Sequence, residues 1–166
     1  MHLLTQTIDQ LTMNILVMAR SFDPTTLSRA VVFVVALVVL LVSHQLGDHV
    51  LQTDHQAAGK AGTGWAALWA MLGHLAGYHA SALLLLGITF AVLGLPLTVL
   101  GVAAGLTFSA VTHAALDRRW PVKALLRVLR SPRFAETTTP VCGAYAADQA
   151  LHQACLLVSA LLVASL

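Results

Sequence analysis

The sequence predicts an all-α integral membrane protein. It has four transmembrane helices in a bundle, an amino-terminal amphipathic helix, and a short basic amphipathic segment between the third and fourth spans. Three observations carry this. The 166 residues are 58% hydrophobic and only 10% charged, where a soluble domain carries about 25% charged residues. Four apolar stretches approach or exceed the roughly 18 residues that mark a membrane span. Three of the seven acidic residues sit inside those stretches, each four positions from a histidine: His44 and Asp48, His113 and Asp117, Asp148 and His152.

Residues 1–24 form the first unit and 25–166 the membrane domain. Residues 1–22 lack the basic start and compact apolar run of a signal peptide. Leu4, Ile8, Leu11, Ile15, Met18 and Phe22 recur at helical spacing instead, giving a one-sided apolar stripe. Its polar face is mostly Thr, Gln and Asn, so it offers little attraction to anionic lipid. Asp23-Pro24 ends this helix, and Asp23 or Thr25 can cap the next.

The first span covers residues 28–52 and ends in a polar run. Residues 53–64 hold three glycines and suit a loop. The second span covers 65–93 and carries His74, Tyr78 and His79. Gly94-Leu95-Pro96 makes a tight turn, and the third span, 97–117, closes at Arg118-Arg119-Trp120, residue types that anchor at a membrane interface. In 121–134, Val122, Leu125, Leu126 and Leu129 oppose Lys123, Arg127 and Arg130. The fourth span covers 141–164. Gly73-x3-Gly77 and Gly101-x3-Gly105 are spaced for close helix packing.

Six of the nine basic residues lie between Arg118 and Arg133. By the positive-inside rule, that loop and the 53–64 loop are cytoplasmic and both termini face out. The basic segment suits anionic lipid headgroups rather than nucleic acid. Cys142 and Cys155 form no CxxC pair, which argues against a thiolate zinc site.

Four residues make about one helical turn, so each His/Asp pair shares a helix face. An aspartate near the bilayer centre costs roughly 2.5–3.5 kcal/mol, and three of them need compensation. Counting helical rise from the cytoplasmic ends places His44, Asp48, His74, His113, Asp117, Asp148 and His152 in one layer, about 5–16 Å deep. On the first helix Gln52 and His55 extend the same face. On the second and third, Tyr78, Ser81 and Ser109 do so.

A single His/Asp pair in a membrane helix reads most simply as a buried hydrogen-bonded pair. Three pairs plus His74 in one layer favour a metal site instead. His44, Asp48, His113, Asp117, Asp148 and His152 are the expected ligands. Imidazole and carboxylate donors without thiolates suit zinc, iron or manganese, as one ion or as two with a bridging aspartate. His74 has Ala70 and Tyr78 one turn away rather than a carboxylate. It is therefore the expected catalytic base or labile ligand.

These motifs carry a resemblance. His44-Gln-Leu-Gly-Asp48-His-Val-Leu-Gln52 resembles the H-x3-D-[aromatic]-x-[Leu]-Q signature of a bacterial inner-membrane family catalogued as a domain of unknown function. Thr112-His113-Ala-Ala-Leu-Asp117 and Asp148-Gln149-Ala-Leu-His152 resemble its later H-x3-D and D-Q-x2-H motifs, and His74 matches its intervening histidine. The resemblance spans about residues 38–160. His49 departs from it, standing where the family usually has an aromatic residue. It implies a multi-pass inner-membrane protein and leaves the activity open. A weaker similarity, through the Leu-Asp end of the His113 motif, is to membrane-bound metal-dependent hydrolases.

Two classes of function follow. One is a metal-dependent hydrolase of a lipid-linked or membrane-surface substrate, in which the metal activates water and His74 or a carboxylate is the base. The other is non-enzymatic: a metal binder or carrier, or a structural protein with a buried His/Asp hydrogen-bond network. Membrane lipids are the expected partners, and a homo-oligomer and a membrane-protein partner both stay open.

Overall fold

Every element of regular structure among the described residues of the computed structural model is helical. It describes residues 2–21 and 23–166, and the side chains of 2–4, 15, 16 and 18–21 also lie outside the described residues. Residues 1–31 and 32–166 form two units.

In the first unit, α1 spans His2–Ser21. Of its expected stripe, Ile8 and Leu11 are exposed. The side chains of Leu4, Ile15 and Met18, and all of Phe22, lie outside the described residues. The next helix, α2, spans Pro24–Leu46 and starts four residues before the expected boundary. Asp23 is the reason. Its Oδ2 accepts the Thr26 N–H at 3.1 Å and the hydroxyls of Thr25 and Thr26, and Pro24 suits the first helical position. Those bonds, first that of the Thr25 hydroxyl and then those of Thr26, hold the Asp23 carboxyl below its ordinary range.

In the second unit, α2 ends in one wide π-helical turn, Gly47–Leu51, and the chain becomes extended at Gln52. The expected single helix through residue 52 is therefore corrected. A short α3, Asp54–Gly59, follows behind a capping box made by Thr53 and Gln56. Three long helices complete the bundle: α4 Gly64–Leu93, α5 Val99–Leu116 and α8 Gly143–Ser165. Gly94 closes α4 at φ 62°, in the left-handed region. Between α5 and α8 lie α6, Trp120–Val128, and α7, Pro132–Glu136. On α6, Val122 and Leu126 are buried, while Leu125 and Leu129 are exposed. Its apolar side is thus narrower than the expected four-residue face.

Four helices are long and apolar enough to cross a membrane: Pro24–Leu51, Gly64–Leu93, Val99–Leu116 and Gly143–Ser165. Val32, Ala36, Val39 and Leu40 of α2 pack with Ala82, Leu86 and Phe90 of α4 and with Leu156, Ala160 and Val163 of α8. This apolar cluster fills the half of the bundle away from the π turn. The tightest pairing is α5 with α8. A Cβ at Gly101 would stand 2.7 Å from the Val163 carbonyl, and one at Gly105 would stand 2.8 Å from the Ser159 carbonyl. The expected role of that glycine pair is borne out. Gly73 and Gly77 do not act this way: Gly77 has open space around it and Gly73 meets only the Gln56 side chain.

Candidate metal centre

The helix ends nearest the π turn converge on one polar cluster. All seven residues singled out from sequence lie in it, on four helices. They form three triads whose donor atoms lie within 4.8 Å of one another: His44, Asp48 and His113; His74, His113 and Asp117; Asp117, Asp148 and His152. The five buried members, His44, His74, His113, Asp117 and His152, sit at 5% exposure or less. Asp148 is the most open carboxylate, its side chain 21% exposed.

The π turn sets the geometry. Gly47 lies against Tyr78, and a Cβ there would come within 2.5 Å of the ring. The Tyr78 ring stacks on His113 with centroids 4.8 Å apart and meets His44 edge-on. Gly47→Ala is therefore expected to push Tyr78 into His113. It should lower stability by about 1–3 kcal/mol, the usual cost of overpacking, read as a lower unfolding midpoint of the full chain in detergent.

The centre of the cluster is a quartet of donor atoms. His74 Nε2 lies 2.9 Å from His113 Nε2. Asp48 Oδ1 lies 3.3 Å from the first and 3.4 Å from the second. Asp117 Oδ2 lies 3.5 Å and 3.2 Å from them. A tetrahedral ion with bonds of about 2.0–2.1 Å sets its ligand atoms about 3.3–3.4 Å apart. The carboxylate-to-imidazole separations, 3.2–3.5 Å, lie near that spacing, and the two imidazole nitrogens stand closer together, at 2.9 Å. The second layer is looser: His44 Nδ1 lies 3.6 Å from Asp48 Oδ2, and His152 Nδ1 lies 3.5 Å from Asp148 Oδ2. His152 Nδ1 also reaches the Asp148 carbonyl at 2.9 Å.

Hydrogen bonding within the chain does not satisfy this cluster. Both ring nitrogens of His44 and the Nε2 of His152 find no hydrogen-bond partner among the described residues. Each buried, unsatisfied polar group costs about 1–3 kcal/mol. Donor type, spacing and these orphaned nitrogens all fit a divalent cation. Asp117 belongs to two of the triads, the position of a bridging carboxylate.

His74 is not the unconstrained histidine expected from its sequence neighbours. Its Nδ1 lies 2.9 Å from the Gln52 amide, and the Lys60 ammonium lies 3.2 Å from its Nε2. The Gln52 amide nitrogen stands against the ring at Nδ1 and braces it, the kind of support a metal-ligating imidazole usually has. Gln52 thus joins the site as its place on the stripe implied. His55, expected on the same face, is exposed on α3, because the chain leaves the helix at Gln52.

Lys60 is the residue that sequence reasoning missed. It stands as the one lysine in the Gly-rich 53–64 segment, yet it is 7% exposed and its Nζ lies 2.8 Å from Asp117 Oδ2. His113 Nε2 faces the same carboxylate oxygen at 3.2 Å. Arg118 donates to the Gly62 carbonyl at 2.8 Å and Arg119 to the Ala57 carbonyl at 3.3 Å, so both sides of the Lys60 segment are tied to the end of α5.

A cleft of about 380 Å³ opens onto this cluster. Its lining includes all three aspartates together with Lys60, Arg119 and Lys123. His49 and Tyr145, bonded to each other through Nε2 and the phenol, stand in its wall.

A family model described as a protein of unknown function, DUF3307, matches residues 36–166. The chain belongs to this family, which bears out the resemblance to a family of unknown function. No curated protein and no solved structure matches the chain.

Proposed function

We propose that this member of the DUF3307 family is a multi-pass membrane protein with a divalent metal centre near the cytoplasmic face. It acts as a metal-dependent hydrolase of a lipid-linked or membrane-surface substrate. The observation that carries this reading is the close convergence of His74, His113, Asp48 and Asp117 with an open cleft beside it. A closed structural site needs no such access. Zinc, iron or manganese suits the donors, and such an ion would supply water acidified towards neutral pH. His74 is assigned to the ligand set. Asp148, the most open of the three carboxylates on the cleft, takes the part of the base.

Membrane insertion is supported by the four spans and by their outward residues, such as Val34, Val38, Leu84, Ile88, Val111 and Leu161, which are large, apolar and exposed. Contiguous apolar surface of this kind calls for an apolar surround. Trp65, Trp69 and Trp120 are exposed near the cleft end of the bundle, suited to an interface. We place residues 53–64 and 118–139 in the cytoplasm of the cell that carries this membrane, with both termini outside. With Cys142 and Cys155 replaced by serine, an impermeant thiol reagent added outside is expected to miss Gly62→Cys and Ser131→Cys. Labelling of both would reverse the topology.

The hydrolase reading is tested with the metal-loaded full chain in lipid vesicles, following headgroup release in ¹⁸O-labelled water. Label is expected in the product only when metal is bound. Asp117→Ala should lose both the metal and the release. The Lys60–Asp117 ion pair favours a second reading, a buried hydrogen-bond network without catalysis. Bound metal without any metal-dependent release would support a non-enzymatic role.

A further inference from the structure

The buried lysine at the site has a consequence for what binds there. The Lys60 ammonium lies 3.2 Å from His74 Nε2 and 2.8 Å from Asp117 Oδ2, a position between an imidazole and a carboxylate that favours a cation. A divalent ion bound by those two atoms would lie within a few ångströms of Nζ and repel it strongly in so buried a place. Its carboxylate partner would be turned to the metal. A buried ammonium without a counter-charge is costly. The cleft is the direction left open to it, and two further cations, Arg119 and Lys123, line that cleft. Arg119 is held at φ 63°, a backbone conformation that non-glycine residues adopt at a cost and that tends to mark functional positions.

We infer that the cleft takes a phosphoryl group, held between the metal centre and Lys60, Arg119 and Lys123. This rests on the metal reading above. With one or two divalent ions added, the three aspartates no longer balance the cations, so the occupant is an anion. A phosphoryl group has enough terminal oxygens to meet a metal, a lysine and an arginine at once, each through a charge-assisted bond, whereas a carboxylate has two. Such a group is offered by a phosphomonoester lipid headgroup and by soluble phosphate.

The test is equilibrium binding of radiolabelled inorganic phosphate to the full chain in detergent, with and without manganese, after metal content has been measured. Phosphate is expected to bind only the metal-loaded chain. Affinity should fall at least about tenfold in Lys60→Met and in the exposed pair Arg119→Gln/Lys123→Gln, with metal content retained in both. The exposed pair keeps the test sound if the buried Lys60 variant fails to fold. Displacement by short-chain phosphatidic acid at lower concentration than by unlabelled phosphate identifies a lipid headgroup, and displacement at equal or higher concentration identifies soluble phosphate. A metal-loaded chain that binds no phosphate, or binds it equally well in the exposed pair, overturns the phosphoryl site and leaves the metal centre standing. A chain that takes up no metal overturns the metal reading and the phosphoryl site with it.

Discussion

Asp48→Ala is expected to lower the affinity for a divalent ion by about 100-fold or more. Loss of a supporting group around a metal already costs 10–100-fold, and Asp48 is a direct donor in the proposed quartet. Its Oδ1 lies 3.3 Å and 3.4 Å from the two Nε2 atoms. Its other oxygen, Oδ2, lies 3.6 Å from His44 Nδ1, so the same substitution strips both layers. Competition against a chelating dye gives the affinity, and metal analysis after dialysis gives the occupancy. Asp54→Ala, at an exposed position on α3, should leave both unchanged. Equal metal affinity in Asp48→Ala and the unaltered chain would remove Asp48 from the ligand set.

The second large effect is expected at the α5–α8 seam. Added methyl groups at Gly101 and Gly105 would meet the Val163 and Ser159 carbonyls at 2.7 Å and 2.8 Å. Backbone oxygens cannot swing away as a side chain would, so the helices must part. Each substitution to alanine should cost about 1–3 kcal/mol, and the pair together should lower the unfolding midpoint more than either alone. The seam also aligns His113 and Asp117 of the α5 end with Asp148 and His152 of α8. Gly101→Ala/Gly105→Ala should therefore weaken metal binding from a distance, although neither glycine is near a donor atom. Gly77→Ala, with open space around it, is the matching control and should change neither property. An unfolding midpoint unaltered in the seam variant would show that the helices do not meet as closely as described.

The convergence of the seven His and Asp residues is legible because helix geometry fixes it. A spacing of four puts His44 with Asp48, and counting rise from the helix ends brings four helices to one layer. The same arithmetic failed where the backbone departs from the α-helix. Carrying the face on past Gln52 to His55 assumed a continuous helix, and the π turn at Gly47–Leu51 followed by extended backbone at Gln52 ends it. The turn packs Gly47 against Tyr78, a tertiary contact with no local signal. Lys60 was illegible for a related reason. A lone lysine in a Gly-rich loop looks like a solvated charge, and only the fold of α3 against α4 turns its long side chain inward. His74 was misjudged through its own helix, where no carboxylate stands one turn away. Its partners come from across the bundle. Gly73-x3-Gly77 shows the converse, a packing motif in sequence that meets only the Gln56 side chain of α3 at Gly73 and open space at Gly77.

The most direct test of the metal centre is elemental analysis of the purified full chain joined to X-ray absorption at the edge of whichever metal is found. One or two equivalents of zinc, iron or manganese are expected, with nitrogen and oxygen neighbours at about 2.0–2.2 Å, outer-shell scattering from imidazole, and no sulfur shell. Loss of that metal in Asp48→Ala/His152→Ala should accompany retained helical content. A folded, unaltered chain that stays free of divalent metal after exposure to all three ions would contradict a metal centre and leave the Lys60–Asp117–His network as the site's resting chemistry.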